Sequence, residues 1–474
     1  MTSASEQRLR EVPWRALSGI PPALDAPLAA VLANEPAERV VDRFLRAQRT
    51  LGSEQRLAVK EAIYGVAVWR RRLAWHGSPS PQPSPPAGER EVGFNDHAKL
   101  PPSPPAGERG VGFSDHAKLP PFPRAGERGV GFSDHAKLLP LPGRERVGER
   151  VGAPRLLLAV LLRDLGGLPD AEALTGLAAG TLPASRPPPE DPALRFSLPD
   201  WLWSTLQREA GGEALAIADA LNLPGPIALR PNLLHTTPQA LAERLAAEGV
   251  ATRAGRLVPS ARVVTSPRPN LYGLAAEREA LFEVQDEASQ LVGVLVEARP
   301  GATVLDLCAG AGGKALQLAA LVGPGGAVHA VDPDLARLER LRTRAARAGA
   351  GTIVRIHGAA PPPELRVDAA LVDAPCSELG ALRRGPDRRF HLDPAGFDAF
   401  PPLQRRILGA AAGHVRPGGR LVYATCTLRR EENEEVAAAF EAEHPAFARD
   451  GDFQRTWPHR GGCDGFFVAA WRRD

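Results

Sequence analysis

The stretch from Ala302 to Asp332 limits this chain to very few folds. Ala302–Asp306 is an apolar run of strand length that ends in an acid. Leu307, Cys308, Ala309, Gly310, Ala311, Gly312, Gly313 and Lys314 then form a glycine-rich turn, and Ala315–Leu321 is helical. Strand, turn and helix in this order open a nucleotide-binding α/β fold. Glycine permits positive φ and close backbone approach, and the start of the helix offers free N–H groups. A second strand, Gly326–Val331, ends in Asp332. An acid there can accept hydrogen bonds from both hydroxyls of a ribose, or it can cap the helix that starts at Pro333. The glycine spacing is neither that of the phosphate-binding P-loop nor the dinucleotide pattern, which favours an adenosyl ligand without a pyrophosphate.

Two later strands carry thiols. Val367, Ala369, Ala370, Leu371 and Val372 are apolar on nearly every position, as in a strand covered on both faces, and Pro375 predicts that it stops near Asp373, just before Cys376. A third strand ends near Ile356. Farther on, Arg416–Gly419 turn into the strand Arg420–Ala424, which leads into Thr425, Cys426 and Thr427. Open α/β sheets bind ligands outside the carboxyl ends of their strands, so Asp373, Cys376 and Cys426 are expected at the edge that holds the glycine turn. A disulfide does not suit a reducing compartment, and redox pairs usually lie closer in sequence. A thiolate nucleophile helped by a second thiol suits a pyrimidine, because C5 of cytosine is a poor nucleophile until a thiolate adds to C6.

A chain of 474 residues exceeds a single core, so two or three domains are expected. No apolar run is long enough to span a bilayer, and Glu6, Arg8, Arg10 and Glu11 precede any apolar run, unlike a secretory signal. The expectation is a cytoplasmic protein with no membrane partner. Cys308, Cys376, Cys426 and Cys463 are too few for a disulfide scaffold and too widely spaced for a zinc site, so no metal is expected.

Residues 1–75 read as the first part of a helical N-terminal domain. Its Arg39, Arg43, Arg46, Arg49, Arg70, Arg71 and Arg72 are either a nucleic-acid surface or solvated helix faces. Residues 76–153 read as a disordered Pro/Gly-rich insert, in which a 19-residue unit starts at Ser84 and recurs from Ser103 and Phe122. The unit has too little apolar surface to stack as a solenoid. Its Asp96–His97, Asp115–His116 and Asp134–His135 pairs look copied rather than placed as metal ligands. Residues 154–196 resume the helical domain and end in a proline-rich linker. Residues 197–282 form a small α/β subdomain. There Thr237 and Pro238 start a helix, and the loop Arg230-Pro231-Asn232 either binds RNA or packs on the next domain. Residues 283–474 hold the strands and thiols described above.

Asp373-Ala-Pro-Cys-Ser377, continued by Gly380, Arg383, Arg384, Pro386 and Asp387, resembles the fourth motif of the RsmB/Sun family of RNA cytosine-C5 methyltransferases. Tyr423, Thr425 and Cys426 resemble its sixth motif. Gln285–Ser289, the Cys308–Lys314 turn and Asp464-Gly465-Phe466-Phe467 are similar to others. The resemblance runs from about Leu198 to the C-terminus. It implies an α/β fold: a Rossmann-like class I methyltransferase domain preceded by a small α/β (RRM-like) subdomain and an all-helical N-terminal domain. It also implies S-adenosylmethionine as cofactor and RNA as partner, ribosomal RNA before tRNA; separately, a monomer is expected. By the same resemblance Cys426 attacks C6, Cys376 helps C5 lose its proton, and Asp373 holds the cytosine edge with Lys314 nearby. Cys308, Ala309, Gly310, Ala311, Gly312, Gly313, Lys314, Asp332 and Asp373 would meet the cofactor. Two departures from the family pattern matter. Ala311 replaces a usual proline, and His357, Gly358, Ala359 and Ala360 stand where an acid meets the adenine amino group, which predicts weaker cofactor binding. The alternatives are an RNA-binding ribosome-assembly factor with a retained but weak methyltransferase fold, and a small-molecule or DNA methyltransferase.

Overall fold

The computed structural model describes residues 2–77, 153–266 and 269–474. The 19-residue repeats and their Asp–His pairs lie outside the described residues. Helices α1 (Ala4–Arg10), α2 (Pro21–Leu32), α3 (Ala37–Ala47), α4 (Ser53–Gly77) and α5 (Ala153–Val160) form the N-terminal unit. A capping box starts α1: Ser3 accepts from the Glu6 N–H, and the Glu6 carboxylate accepts from the Ser3 N–H. Leu24, Leu28, Ile63 and Val66 from before the repeats share one core with Leu158, Leu161 and Leu162 from after them. Each such side chain contributes about 1.5–3 kcal/mol by leaving water. Gly65 makes the approach possible, since a Cβ there would lie 2.5 Å from Leu161.

Three of the arginines that the sequence offers for nucleic acid are structural. Arg70 stacks 3.7 Å from the centre of the Phe390 ring, Arg71 bonds the Leu198 carbonyl and Asp200, and Arg72 pairs with buried Glu6. Arg39, Arg43, Arg46 and Arg49 are exposed on or just after α3.

Helices α6 (Asp200–Ala210) and α7 (Ala214–Leu221) pack Leu202, Leu206 and Ile217 against Leu379, Leu382 and Phe397 of the segment that follows Cys376. The next unit has strands β1 (Ala228–Pro231), β2 (Thr252–Ala254), β3 (Arg262–Val264) and β4 (Phe282–Val284), antiparallel in the order β2-β3-β1-β4. Its helix α8 (Pro238–Ala247) starts as the sequence predicts, with Thr237 accepting from the Ala240 N–H at 3.1 Å and Pro238 in the first turn.

The large sheet is built on five parallel strands: β5 (Thr303–Asp306), β6 (Ala327–Val331), β7 (Val354–His357), β8 (Val367–Asp373) and β9 (Val415–Thr425). Strands β10 (Phe447–Arg449), β11 (Gln454–Arg455) and β12 (Phe467–Arg473) complete it, β12 lying antiparallel to β9. In the order β7-β6-β5-β8-β9-β12-β10, β5 is the middle one of the five parallel strands, flanked by β6 on one side and β8 on the other. Helices α9 (Glu287–Leu295), α10 (Gly313–Val322) and α11 (Leu335–Arg347) cover one face, where Val292, Leu318 and Leu341 meet Val304 and Leu371. On the other face α12 (Phe400–Ala412) and α13 (Glu434–Glu443) set Leu408 and Phe440 over Leu305, Val372 and Tyr423. β9 starts earlier than its sequence suggests: Val415 pairs with Val367, and Arg416–Gly419 bulge before Arg420 pairs with Ala369. Among the described residues no helix is long and apolar enough to cross a membrane, and no cluster of three or more His, Cys, Asp or Glu could hold a metal ion.

Candidate active site

The divergence of the chain on either side of β5 opens a crevice at the carboxyl ends of the strands, and the glycine turn lines it. Gly310 and Gly312 have φ of +55° and +91°, and a Cβ on Gly312 would come within 2.2 Å of Leu341. The turn is braced from three sides. Asp332 Oδ2 accepts from the Gly310 N–H at 2.9 Å, Arg344 donates to the Ala311 carbonyl, and Arg230 donates to the Gly313 carbonyl and to Gln285. Arg344 also pairs with Glu283 at 2.7 Å. The Arg230 loop therefore packs on the next domain: its arginine is buried, and burial pulls its pKa down to about 10. Asp332 is not the helix cap. Asp334 caps α11 through the Arg337 N–H at 3.0 Å, while Asp332 Oδ1 accepts from the Asp334 N–H at 2.8 Å. Each Asp332 oxygen keeps a second lone pair for a ribose hydroxyl.

Lys314, in the first turn of α10, reaches across to the end of β8 and donates to Asp373 Oδ2 at 2.7 Å. At the end of β5 lies Asp306, 1% exposed, with neither carboxylate oxygen in a well-formed hydrogen bond among the described residues. Burial, reinforced by the nearby Asp373 charge and partly offset by Lys314, pushes its pKa up to about 7. Three carboxylates, Asp306, Asp332 and Asp373, thus lie near one another, and Lys314 pairs with Asp373. A surplus of acid with an orphaned buried member fits a cofactor that carries both a sulfonium and an ammonium. Past β7, Gly358, Ala359 and Ala360 are exposed, and the next acid, Glu364, is exposed as well. His357 faces β6 instead, its Nε2 lying 2.9 Å from His329 Nδ1.

The parallel register that sets Asp373 beside Ala424 brings the two following loops together. Cys376 Sγ lies 3.5 Å from Cys426 Sγ. Cys376 is buried and Cys426 partly open. The hydrogen bond that Cys376 makes to Cys426, together with burial, pushes the Cys376 thiol well above its ordinary pKa, so it stays protonated and can donate to a Cys426 thiolate. Cys308 is also held as a thiol, by burial and by Asp306, Asp373 and Asp332.

Arg383 and Arg384 are part of the frame around this pair. Arg384 bonds Asp286 and Asp464, each at 2.5 Å, and Arg383 bonds the carbonyls of Pro458 and Cys463. Gly380 donates to the Cys426 carbonyl at 2.9 Å and accepts from the Gly465 N–H at 2.9 Å. Asp387 reaches the helical unit and accepts from the Ala37 N–H at 2.9 Å. Asp306 is announced in the sequence only by its place at the end of the first strand, and Glu432 and Asn433 sit in a charged run of the kind that normally marks a solvated face.

Comparison with known proteins agrees with this architecture. Residues 293–472 match the family described as 16S rRNA methyltransferase RsmB/F, and residues 198–270 match the ferredoxin-like domain of RsmF/B-like methyltransferases. The chain is 34% identical over 311 residues to the ribosomal RNA small subunit methyltransferase B of Thermus thermophilus, covering 63% of this chain and 71% of that protein. It is 33% identical over 312 residues to the probable ribosomal RNA small subunit methyltransferase B of Bacillus subtilis, covering 60% and 69%. A solved structure of a methyltransferase homolog protein from Pyrococcus horikoshii superposes with a TM-score of 0.54 at 25% identity, over 60% of this chain and 98% of that one. The fold is that of a Rossmann-like methyltransferase with a ferredoxin-like subdomain and a helical N-terminal unit, and its cofactor is S-adenosylmethionine. The chain belongs to the RsmB/F family of 16S rRNA methyltransferases.

Proposed function

We propose that the chain methylates C5 of a cytidine in RNA, most directly the ribosomal RNA of the small subunit, through a covalent adduct between Cys426 and C6. The observation that carries this reading is the pair of thiols 3.5 Å apart, beside the Lys314–Asp373 ion pair and the cofactor turn.

A cytosine inside a helix cannot reach a crevice of this kind, so the base leaves its stack and enters it. Asp373, fixed by Lys314, accepts from the amino group on the cytosine edge. The Cys426 thiolate forms a bond to C6, and the electron pair displaced from the C5–C6 bond makes C5 nucleophilic. The Cys308–Lys314 turn, Asp332 and Asp306 would hold S-adenosylmethionine, which would supply the electrophilic methyl group. Cys376 then helps remove the C5 proton, and as that C–H bond breaks the C5–C6 double bond re-forms and expels the Cys426 thiolate. Held as a thiol, Cys376 gives this help by donating a hydrogen bond to the Cys426 sulfur as that sulfur leaves C6, the C5 proton passing to water.

Transfer of label from S-adenosylmethionine to RNA from cells that lack this protein, followed by nucleoside analysis, tests the reading. 5-Methylcytidine in the small-subunit RNA is expected. Label in another nucleoside would overturn the assignment of C5. No transfer by a protein that binds RNA would favour an assembly factor, a reading for which the exposed Ala359 and Ala360 are the structural motive.

A further inference from the structure

Two sulfur atoms that act on one base must keep a fixed separation, and the flanks of both cysteines lead to one dipeptide. Glu432 is 0% exposed. Its carboxylate accepts from the Ser377 N–H at 2.9 Å, the Ser377 hydroxyl at 2.6 Å, Gln404 Nε2 at 3.1 Å and Arg429 at 3.4 Å. Gln404 Nε2 also donates to the Pro375 carbonyl at 2.9 Å, so both neighbours of Cys376 are tied to Glu432. Asn433, equally buried, does the same for the other thiol. It accepts from the Thr425 hydroxyl at 2.5 Å and donates to the Thr427 carbonyl at 3.2 Å, so both neighbours of Cys426 are tied to Asn433. The loops are joined directly as well. The Ser377 hydroxyl gives its proton to Glu432, so at 2.7 Å it is Thr427 that donates to Ser377 Oγ. Below them the Tyr423 hydroxyl donates to the Glu432 carbonyl at 2.6 Å. A carboxylate in a protein core is costly unless its lone pairs are filled. Here four donors fill them, two from the residue after one cysteine.

We propose that Glu432 and Asn433 are positioning residues that set the separation of the Cys376 and Cys426 sulfurs, without touching substrate or cofactor. The proposal rests on the two-thiol reading given above. It accounts for a buried acid that the chemistry itself does not use.

The test separates positioning from methyl transfer. Diamide oxidises two neighbouring thiols to a disulfide and takes their two hydrogens onto its N=N bond. In the full-length protein, the rate at which the Cys376 and Cys426 peptides become linked, followed by mass spectrometry, reports sulfur spacing whether or not RNA is methylated. Glu432→Gln, nearly isosteric, presents an amide to donors that need an acceptor, and Asn433→Ala frees both neighbours of Cys426. Each is expected to slow linkage by about 10-fold or more and to lower kcat by about 100-fold, because a shift near 1 Å is enough for such a loss. The dissociation constant and KM for S-adenosylmethionine stay at the wild-type values, which also certifies folding. Ser377→Ala, which removes one donor and the link between loops, falls between these variants and the wild type. Wild-type linkage rate and kcat in variants that bind the cofactor would overturn the proposal. Slowed linkage in variants of a protein that methylates no RNA would instead leave the positioning role standing and sink the methyl-transfer reading.

Discussion

Cys376 Sγ stands 3.5 Å from Cys426 Sγ, although 50 positions separate the two residues in the chain. The contact follows from sheet geometry. β8 and β9 run parallel in a register that pairs Asp373 with Ala424, so the loops that leave them start side by side on the carboxyl edge. The segments after each strand are then locked by Gly380, whose N–H donates to the Cys426 carbonyl.

That lock tolerates no side chain. A Cβ on Gly380 would lie 2.1 Å from the Gly465 carbonyl oxygen, a backbone atom with no rotamer to yield. Gly380→Ala should cost about 1–3 kcal/mol of stability and reduce turnover at least 10-fold, with cofactor affinity kept. Thermal unfolding and kcat measured on the same preparation check both.

Asp306, if it meets the cofactor as proposed, should make binding depend on pH. Its pKa of about 7 lies above the roughly 3.9 of an unfolded aspartate, so the folded protein holds a proton that the unfolded chain has lost. The burial therefore lowers stability progressively as pH rises from about 4 to 7, and no further above that. A cationic ligand reverses the preference by favouring the carboxylate. Affinity for S-adenosylmethionine should rise between about pH 6 and pH 8, with a proton released on binding near neutral pH, and Asp306→Asn should flatten the profile. Calorimetry in two buffers of different ionisation enthalpy reads the proton directly.

The adenine end of the site invites a gain of affinity. The family resemblance puts the adenine amino group past β7, where the exposed Ala359 and Ala360 offer it no carboxylate. Ala359→Asp adds an acceptor worth about 1 kcal/mol, roughly a 5-fold tighter cofactor complex. Titration calorimetry of the two proteins decides it.

Asp387 couples the helical unit to the segment after Cys376. It accepts from the Ala37 N–H at the start of α3 and supplies negative charge beside the half-buried Arg70 and the buried Arg389, whose pKa values desolvation lowers to about 10 and about 9. Asp387→Ala should destabilise the protein by about 2–3 kcal/mol and expose the junction to limited proteolysis, since it leaves two guanidinium groups without that counter-charge.

Much of the catalytic domain was legible because its signals are local. The Ala302–Asp306 strand, the glycine turn and the stop at Asp373 each follow from the conformational limits of a few neighbouring residues, and parallel strands with ends in thiols predict a shared edge. What escaped depends on partners far away in sequence. Arg230 looks like a basic loop residue until Gly313, 83 positions on, closes over it. Arg383 and Arg384 look free until Asp286 and Asp464 surround them, and Glu432 looks solvated until Ser377 and Gln404 enclose it. Asp332 was open between ribose and cap because Asp334, two residues on, offers the same chemistry.

The assignment of the two thiols is tested most directly by mixing the Cys376→Ala and Cys426→Ala proteins separately with substrate RNA and S-adenosylmethionine and resolving the products under denaturing conditions. If Cys426 attacks C6 and Cys376 is needed for release, Cys376→Ala accumulates a protein–RNA adduct that survives denaturation, and Cys426→Ala forms none. An adduct in the Cys426→Ala protein, or its absence from a folded, cofactor-binding Cys376→Ala protein, would contradict the account.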